Sequence, residues 1–181
     1  MGFSDLQPSL RGPELSLRPL LQADFESLFA AAGDPLIWQQ HPEPMRFQKE
    51  NFKRYFQTGI ESRGAFLISS NASGEVLGCS RFYDHDVQLK QISIGYTFLV
   101  RKCWGGVFNR ELKHLMLLHA FNFVETVLFE VGPDNIRSRR ALDKIGARLT
   151  GEKLKIAADG QKRPSLTYTL LRENYKSLIN A

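Results

Sequence analysis

The chain has 181 residues, of which 43% are hydrophobic and 11% aromatic. This apolar content suffices for one core, and the usual size of domains predicts a single domain over residues 1–181, with an irregular lead-in over residues 1–13. The net charge of +5 permits an anionic partner, but charged residues of both signs are interspersed and do not argue for direct nucleic-acid binding.

Cysteine usage and hydropathy indicate the compartment. The two cysteines, Cys79 and Cys103, form neither a CxxC pair nor a disulfide framework, and they suggest no metal site. The N-terminus lacks the apolar segment of a signal peptide, and no window approaches the roughly 18 apolar residues of a membrane-spanning helix. We therefore expect a protein of the reducing cytoplasm with no membrane partner.

The first half of the chain predicts short helices between strands. Residues 15–20, "LSLRPL", alternate as a strand does, and Asp24 is placed to cap a short helix that Gly33 closes. A further helical turn is broken by prolines, and aromatic residues at near-helical spacing predict a helix over about 48–62. The segments "AFLISS" and "VLGCSRFY" flank "NASG", which predicts a hairpin that turns at Gly74.

The second half alternates longer strands with helices. Residues 91–100, "QISIGYTFLV", read as a strand, as does the later "TVLFEVG". "NIRSRRALDKIGA" predicts a capped helix that ends at Gly146, and the C-terminal hairpin is expected to turn at Asp159 and Gly160. Between the strands "QISIGYTFLV" and "TVLFEVG" the sequence predicts an amphipathic helix. Its apolar stripe consists of Phe108, Leu112, Leu115, Met116, His119 and Phe123.

The junction "LVRKCWGGVFNRE" at 99–111 predicts an anion-binding turn. Gly105 and Gly106 precede a helix N-terminus, whose free backbone N–H groups and dipole attract phosphate, and Arg101, Lys102 and Arg110 add positive charge. Neither GxxxxGK[ST] nor GxGxxG is present, so the two nucleotide-binding fingerprints both fail. The alternative is that the glycines only make a tight turn from strand to helix.

Three segments together resemble a known family. "SIGYTFLVRKCWGGVFNRELKHLMLLHAF", "VLFEV" and "NIRSRRALDKIGA" are similar to the central and C-terminal half of the GNAT-type N-acetyltransferases, and most similar to the branch of ribosomal-protein N-terminal acetyltransferases. The resemblance covers the chain from "LSLRPL" to "YTLL". It implies a mixed, mostly antiparallel sheet of about seven strands, flanked by helices and splayed at its centre. It also implies transfer of an acetyl group from acetyl-CoA to a primary amine by direct attack on the thioester.

The resemblance assigns cofactor-binding positions residue by residue. The backbone of Phe98, Leu99 and Val100 is expected beside the pantetheine arm. Amides for the pyrophosphate are expected from Gly105, Gly106, Val107, Phe108 and Asn109, with Arg101 nearby and with Asn135 and Ser138 along the arm. Some positions depart from the family pattern: Val107 and Asn109 stand where glycine or alanine is usual. Leu142 replaces a tyrosine proposed to protonate the leaving thiolate, and Ser93 replaces the usual acidic base.

The chemistry therefore needs other groups. "RFYDHD" at 81–86 is the richest titratable cluster near the expected active-site face, so His85 is the candidate general base and Tyr83 the candidate proton donor. A backbone N–H of Leu99 or Val100 is the candidate oxyanion donor. The alternative reading of this segment is a solvated hairpin loop.

The acceptor site is expected to include Trp38, His41 and Arg81, although a capping or packing role for His41 is equally open. Of the basic residues at 137–148, one or two are expected to neutralise the 3′-phosphate of CoA and the rest to face solvent. The acceptor class stays open between a protein N-terminus or ribosomal-protein amine and a polyamine, amino acid or antibiotic amine.

Two other functions remain as alternatives, a non-catalytic acyl-CoA-binding or regulatory module and a nucleotide-binding protein. The second lacks a Walker lysine. The sequence leaves a homodimer open.

Overall fold

A mixed sheet runs through the molecule. The computed structural model describes residues 6–156 and 160–179, and these contain eight strands in the order β1-β2-β3-β4-β5-β6-β8-β7. The strands are β1 (Leu10–Arg11), β2 (Leu15–Pro19), β3 (Ala65–Ser70), β4 (Val76–Asp86), β5 (Gln91–Leu99), β6 (Thr126–Val131), β7 (Arg148–Ile156) and β8 (Lys162–Leu171). Over the described residues β5 and β6 form the one parallel pair, and this confirms the mostly antiparallel sheet.

One detail of the strand prediction needs correction. The sheet has eight strands rather than about seven, because Leu10 and Arg11 of the expected irregular lead-in pair with β2. The C-terminal hairpin is confirmed by the pairing of β7 with β8. Gly160 of its predicted turn has a left-handed φ of 79°, whereas Asp159 lies outside the described residues.

Six α-helices cover the two faces of the sheet in the described part of the chain. They are α1 (Phe25–Ala32), α2 (Pro35–Trp38), α3 (Lys49–Ser62), α4 (Val107–Ala120), α5 (Ile136–Lys144) and α6 (Arg172–Ile179). The first five are confirmed predictions, but the sequence reading assigned no helix after "YTLL". Tyr175 docks α6 onto α4, since its hydroxyl lies 2.6 Å from Nδ1 of His114 and its ring packs on Phe121.

One predicted helix cap is wrong. The Asp24 side chain does not cap α1, because its carboxylate accepts two hydrogen bonds from Arg18, at 2.6 and 2.8 Å, and a third from the backbone N–H of Leu21. Gly33 and Gly146 do end their helices as expected. Asn135 caps α5, since its Oδ1 accepts from the N–H of Ser138 at 3.1 Å.

The helices divide the core between the two faces of the sheet. On one face α4 buries Leu112 and Met116 of the predicted stripe against the strands, together with Leu117 and Ala120, which the predicted stripe did not include. On the other face α1, α2 and α3 form an aromatic cluster around Phe52, and this cluster reaches Phe98 of β5. We call these the α4 face and the α3 face. No helix in the described ranges is both long and apolar enough to cross a bilayer.

The centre of the sheet opens between β5 and β6. Their pairing runs from Gln91↔Thr126 to Ser93↔Leu128 and ends there. A register shift against β4 accompanies the left-handed φ of 52° at Tyr96, which is the geometry of a β-bulge that bends β5 away. The opening is bounded by residues 94–99 of β5 and 129–131 of β6, and we call it the strand gap. This confirms the splay expected from the sequence.

Candidate functional site

The strand gap exposes backbone groups of β5. Within the described residues β5 pairs with β4 along its whole length, but its other edge has no strand partner over residues 94–99. The side chains of Phe98 and Leu99 are buried, so this edge presents mainly their backbone. The unpaired N–H and C=O groups of a strand edge can form hydrogen bonds with an extended chain. A ligand with an extended arm that carries amide groups can form such bonds.

One expected oxyanion donor is already occupied. The N–H of Val100 donates to Leu77 O at 2.8 Å, so it is not free to bind a substrate oxygen. The bond ties the end of β5 to β4 just before the glycine turn. Of the two backbone N–H groups considered from the sequence, only that of Leu99 remains a candidate.

The turn after β5 is an open cradle at the start of α4. Gly105 has a left-handed φ of 72°, and no described atom lies within 4 Å of the position of a Cβ on Gly105 or Gly106. Gly106 is the N-cap residue of α4 and offers no capping side chain, so the amides of Val107, Phe108 and Asn109 have neither a capping side chain nor an intrahelical acceptor. Free amides beside open space fit a phosphate-bearing ligand.

The cations around this cradle differ in their availability. Arg101 pairs with Asp34 and Lys102 pairs with Glu75, so both already hold the turn to neighbouring loops. The hydrogen bond from the Arg101 guanidinium lowers the pKa of the Asp34 carboxyl, and the hydrogen bond from the N–H of Leu36 contributes less. Arg110 is exposed and makes no ion pair with any described residue, which leaves its charge available to a ligand.

The start of α5 faces the same turn. The Arg137 guanidinium stacks 3.8 Å from the ring centroid of Trp104 and donates to Ile37 O at 2.9 Å. Arg139 donates to Pro133 O and to the Tyr168 hydroxyl. These two side chains therefore stabilise the fold, and they do not belong to the solvated face expected for most of the basic run.

A polar row lies on the α3 face of the strand gap. Tyr83 of β4 meets the Tyr96 ring edge-on at 5.2 Å, and its hydroxyl donates to Oε2 of Glu130 at 3.4 Å. Burial, and then the neighbouring Tyr96 and Asp84, raise the pKa of Tyr83 well above its usual value, so this hydroxyl keeps its proton. The row therefore joins β4, β5 and β6 across the gap.

Glu130 is the acidic residue of this row, and the sequence reading missed it. Its side chain is only 6% exposed and forms ion pairs with Lys153 and Lys155 of β7. The alternation of "TVLFEV" was a usable signal. Because Val127 and Phe129 are buried in the core of the α4 face, Glu130 must point to the opposite face.

The bulge in β5 is held from α3. The Tyr55 hydroxyl donates to Tyr96 O at 2.5 Å, and burial raises the pKa of Tyr55 well above its usual value. Arg81 lies beneath the same bulge, 4% exposed, with its guanidinium 4.1 Å from the Tyr96 ring centroid and its Nη2 donating to Tyr55 O at 3.1 Å. Arg81 thus supports Tyr96 from behind.

The sequence and the fold are both similar to those of known proteins. The model of a family described as acetyltransferase (GNAT) domain matches residues 14–148. The chain belongs to the GNAT acetyltransferase family. No curated protein sequence matches the chain significantly.

Solved structures agree on the GNAT fold. A candidate acetyltransferase from T. thermophilus is 26% identical, with a TM-score of 0.77 over 94% of this chain and 92% of that one. A GCN5-related N-acetyltransferase from Brucella melitensis is 22% identical, with a TM-score of 0.80 over 96% and 83% of the two chains. Mycobacterium smegmatis RimJ in complex with CoA-disulfide is 19% identical, with a TM-score of 0.72 over 97% and 95%. The second and third structures, at identities below 25%, support the fold alone.

Within this GNAT domain, His85 and Tyr83 are not brought together. The ring of His85 packs edge-on against Phe123, 5.6 Å between centroids, and Phe123 belongs to the α4 face. The side chains part because the register of β4 shifts between Tyr83 and Asp86, where Asp84 has a left-handed φ of 50°. The alternative reading of this segment as a hairpin loop is wrong, since β4 extends through Asp86.

Trp38 and His41 form the wall beside α3. Trp38 is 2% exposed and its indole N–H donates to Ala32 O at 2.8 Å. His41 accepts at Nδ1 from the N–H of Glu43 at 3.0 Å and packs against the Trp38 ring. Burial, then the charges of Arg46 and Arg137, hold the pKa of His41 well below its usual range. These contacts are of the packing kind that the sequence left open.

Proposed function

We propose that this GNAT domain transfers an acetyl group from acetyl-CoA to a primary amine by direct attack of the amine on the thioester. The observation that carries the proposal is the strand gap, which has the open cradle of α4 at one end and the Tyr83–Glu130 row across it. A phosphate-bearing ligand fits the cradle, and an extended amide-bearing arm fits the free edge of β5.

The proposed binding of acetyl-CoA uses backbone more than side chains. The pantetheine arm would lie along Phe98 and Leu99, and the pyrophosphate would accept from the amides that follow Gly105 and Gly106. Arg110 would add charge there, while Ser138 would lie beside the arm at the start of α5. Val107 and Asn109 do not prevent this, because the cradle donates through main-chain N–H groups.

Glu130 is the proton acceptor that we propose for the attacking amine. An amine must lose a proton as its bond to the acetyl carbon forms, and a carboxylate within the gap can accept it directly or through one water. Glu130 meets this need better than His85, since it lies on the gap face and the His85 ring packs on Phe123. The protonated Tyr83 hydroxyl orients the carboxylate.

The acceptor that we propose is a molecule with one reacting amine, either a protein N-terminus or a small-molecule amine. On the gap face Glu130 is already neutralised by two lysines and Asp84 beside Tyr83 is exposed, while the buried cations Arg46 and Arg81 both pack on the Tyr55 ring. This charge distribution disfavours a polycation. The ribosomal-protein branch stays a proposal that rests on the sequence resemblance.

A non-catalytic acyl-CoA-binding module is the second candidate. Leu142, 3% exposed, supplies no proton donor at the position where the family often has tyrosine. Cytoplasmic location and homodimer formation also stay predictions. The buried free thiols of Cys79 and Cys103 are compatible with a reducing compartment.

The test is release of CoA from acetyl-CoA with a panel of peptides that have free N-termini, amino acids and polyamines, with the acetylated product identified by mass. Transfer to at least one amine by wild type, lost in Glu130→Gln and kept in the exposed control Lys53→Met, supports the proposal. Binding of acetyl-CoA without transfer to any amine would favour the non-catalytic module.

A further inference from the structure

Lys113 is a buried lysine on the helix beneath the strand gap. It lies on α4 among Leu112, Met116 and Leu117, and is only 7% exposed. Lysine is almost never fully buried unless it is paired, because an ammonium loses its hydration in an apolar core. Its presence in this position therefore requires a reason.

The described residues offer its ammonium little compensation. Nζ donates to Oγ1 of Thr97 at 3.3 Å, and Oγ1 lies 2.7 Å from Oγ of Ser80. The other contact is the Phe129 ring, with Nζ 5.1 Å from its centroid. No carboxylate among the described residues pairs with Lys113, and burial alone lowers its pKa to about 8.

Charged neighbours are engaged elsewhere. On α4, Glu111 accepts hydrogen bonds from the backbone of β2 and of the residue before it, and His114 binds the Tyr175 hydroxyl of α6. On β2, Arg18 pairs with Asp24. The groups that contact the ammonium from β5 and β6, Thr97 and Phe129, do not titrate.

These contacts place the ammonium at the strand gap. Thr97 lies on β5 four residues beyond Ser93, and Phe129 lies on β6 one residue beyond Leu128, where the pairing of the two strands ends. Nζ therefore contacts a side chain of each of the two separated strands, on the α4 face. The amine and Glu130 would approach from the α3 face, so the two charged groups occupy opposite sides of the gap.

The proposed acyl transfer leaves negative charge on sulfur, which a nearby cation or proton donor would stabilise. When the amine forms its bond to the acetyl carbon, the bond from that carbon to sulfur breaks and its electron pair stays on sulfur. The thiolate must then take up a proton or be stabilised by a cation. An ammonium with no carboxylate partner and with a proton to give suits that step.

We propose that Lys113 donates the proton that the CoA sulfur takes up when it leaves the acetyl group. The inference rests on the proposed function. The amine's proton passes to Glu130, the ammonium proton of Lys113 passes to sulfur, and the neutral lysine regains a proton from solvent before the next turnover. Thr97 positions the ammonium through its hydroxyl.

The test measures the sulfur rather than turnover. An ammonium beside a thiol lowers the thiol pKa by roughly one to three from a free value of roughly 8.5. CoA, which has the thiol, should therefore bind wild type increasingly well as pH rises from 6 to about 8, where Lys113 itself begins to lose its proton, relative to S-methyl-CoA, which cannot ionise. We expect the ratio of the two dissociation constants from calorimetry to grow roughly ten-fold or more.

Lys113→Met removes the ammonium with a side chain of similar length, and Lys113→Gln serves as a second variant if the first folds poorly. Lys53→Met, on the exposed face of α3, is the matched control. The proposal predicts a ratio independent of pH in both Lys113 variants, unchanged behaviour in the control, and a fall in kcat with little change in the affinity for acetyl-CoA.

Three outcomes contradict the proposal in distinguishable ways. If wild type and Lys113→Met bind CoA and S-methyl-CoA with the same pH-independent ratio while acetyl transfer persists, Lys113 only serves the fold and the proposed function stands. If wild type binds neither compound, the proposed function fails and this inference fails with it. Acetylation of Lys113 itself, detected by peptide mass, would make it an acyl acceptor and overturn its role as proton donor.

Discussion

Replacement of Lys113 by methionine should stabilise the protein at neutral pH. Burial lowers the pKa of Lys113 from its usual 10.5 to about 8. A tenfold change in proton affinity is worth about 1.4 kcal/mol, so the charged lysine destabilises the native state by about 3 kcal/mol at pH 7. Methionine leaves no ammonium to desolvate and fills a similar volume. For a chain of this length the gain corresponds to a rise in Tm of about 6–12 °C.

The same reasoning fixes the pH dependence. Between about pH 8 and 10.5 the unfolded lysine keeps its proton while the native one has lost it, so wild-type stability should rise with pH through that window. The difference between wild type and Lys113→Met, measured by urea unfolding at pH 7 and pH 10, should therefore shrink towards pH 10. A variant that is no more stable than wild type at pH 7, or a difference that is equal at both pH values, would refute the argument.

Three further substitutions test the site. Gly106→Val should weaken acetyl-CoA binding at least ten-fold by calorimetry without lowering Tm, because the new side chain enters space free of described atoms; unchanged affinity would contradict the cradle. Glu130→Gln should lower kcat by about 10²–10⁴ while acetyl-CoA affinity stays constant, and a wild-type rate would exclude it as the base. Tyr55→Phe removes the hydroxyl that binds the Tyr96 carbonyl. Because that carbonyl would then lack its partner, the free energy of unfolding should fall by about 1–3 kcal/mol and acetyl transfer should slow. An unchanged Tm would show that the bulge does not need this hydrogen bond.

Local signals predicted most of the architecture. Alternation, glycine turns and the apolar stripe of α4 each depend on neighbouring residues, so they can be read without knowledge of the fold. The glycine turn before α4 is the best example. Gly105 and Gly106 have no side chains, so a ligand can approach the free N–H groups at the start of α4 closely. The strand β1 was missed because it is only two residues long and becomes a strand through its pairing with β2.

The chemistry of the gap was harder to predict because it depends on register. Tyr83 and His85 should share a face by simple alternation, yet the irregularity at Asp84 separates them. Glu130 acquires importance only because β6 parts from β5 at that point. Lys113 did leave a trace, since it precedes the buried Met116 and Leu117 by three and four residues and so lies on the buried side of α4.

Binding of acetyl-CoA is the claim on which the account depends, and a thermal-shift titration with acetyl-CoA, CoA and ATP tests it most directly. Each tenfold increase in ligand above its Kd should add about 1.4 kcal/mol to the free energy of unfolding. We predict that acetyl-CoA and CoA raise Tm in this logarithmic way and that ATP does not. A shift with ATP alone, or no shift with either CoA compound, would contradict the assignment of the strand gap and of the cradle at α4.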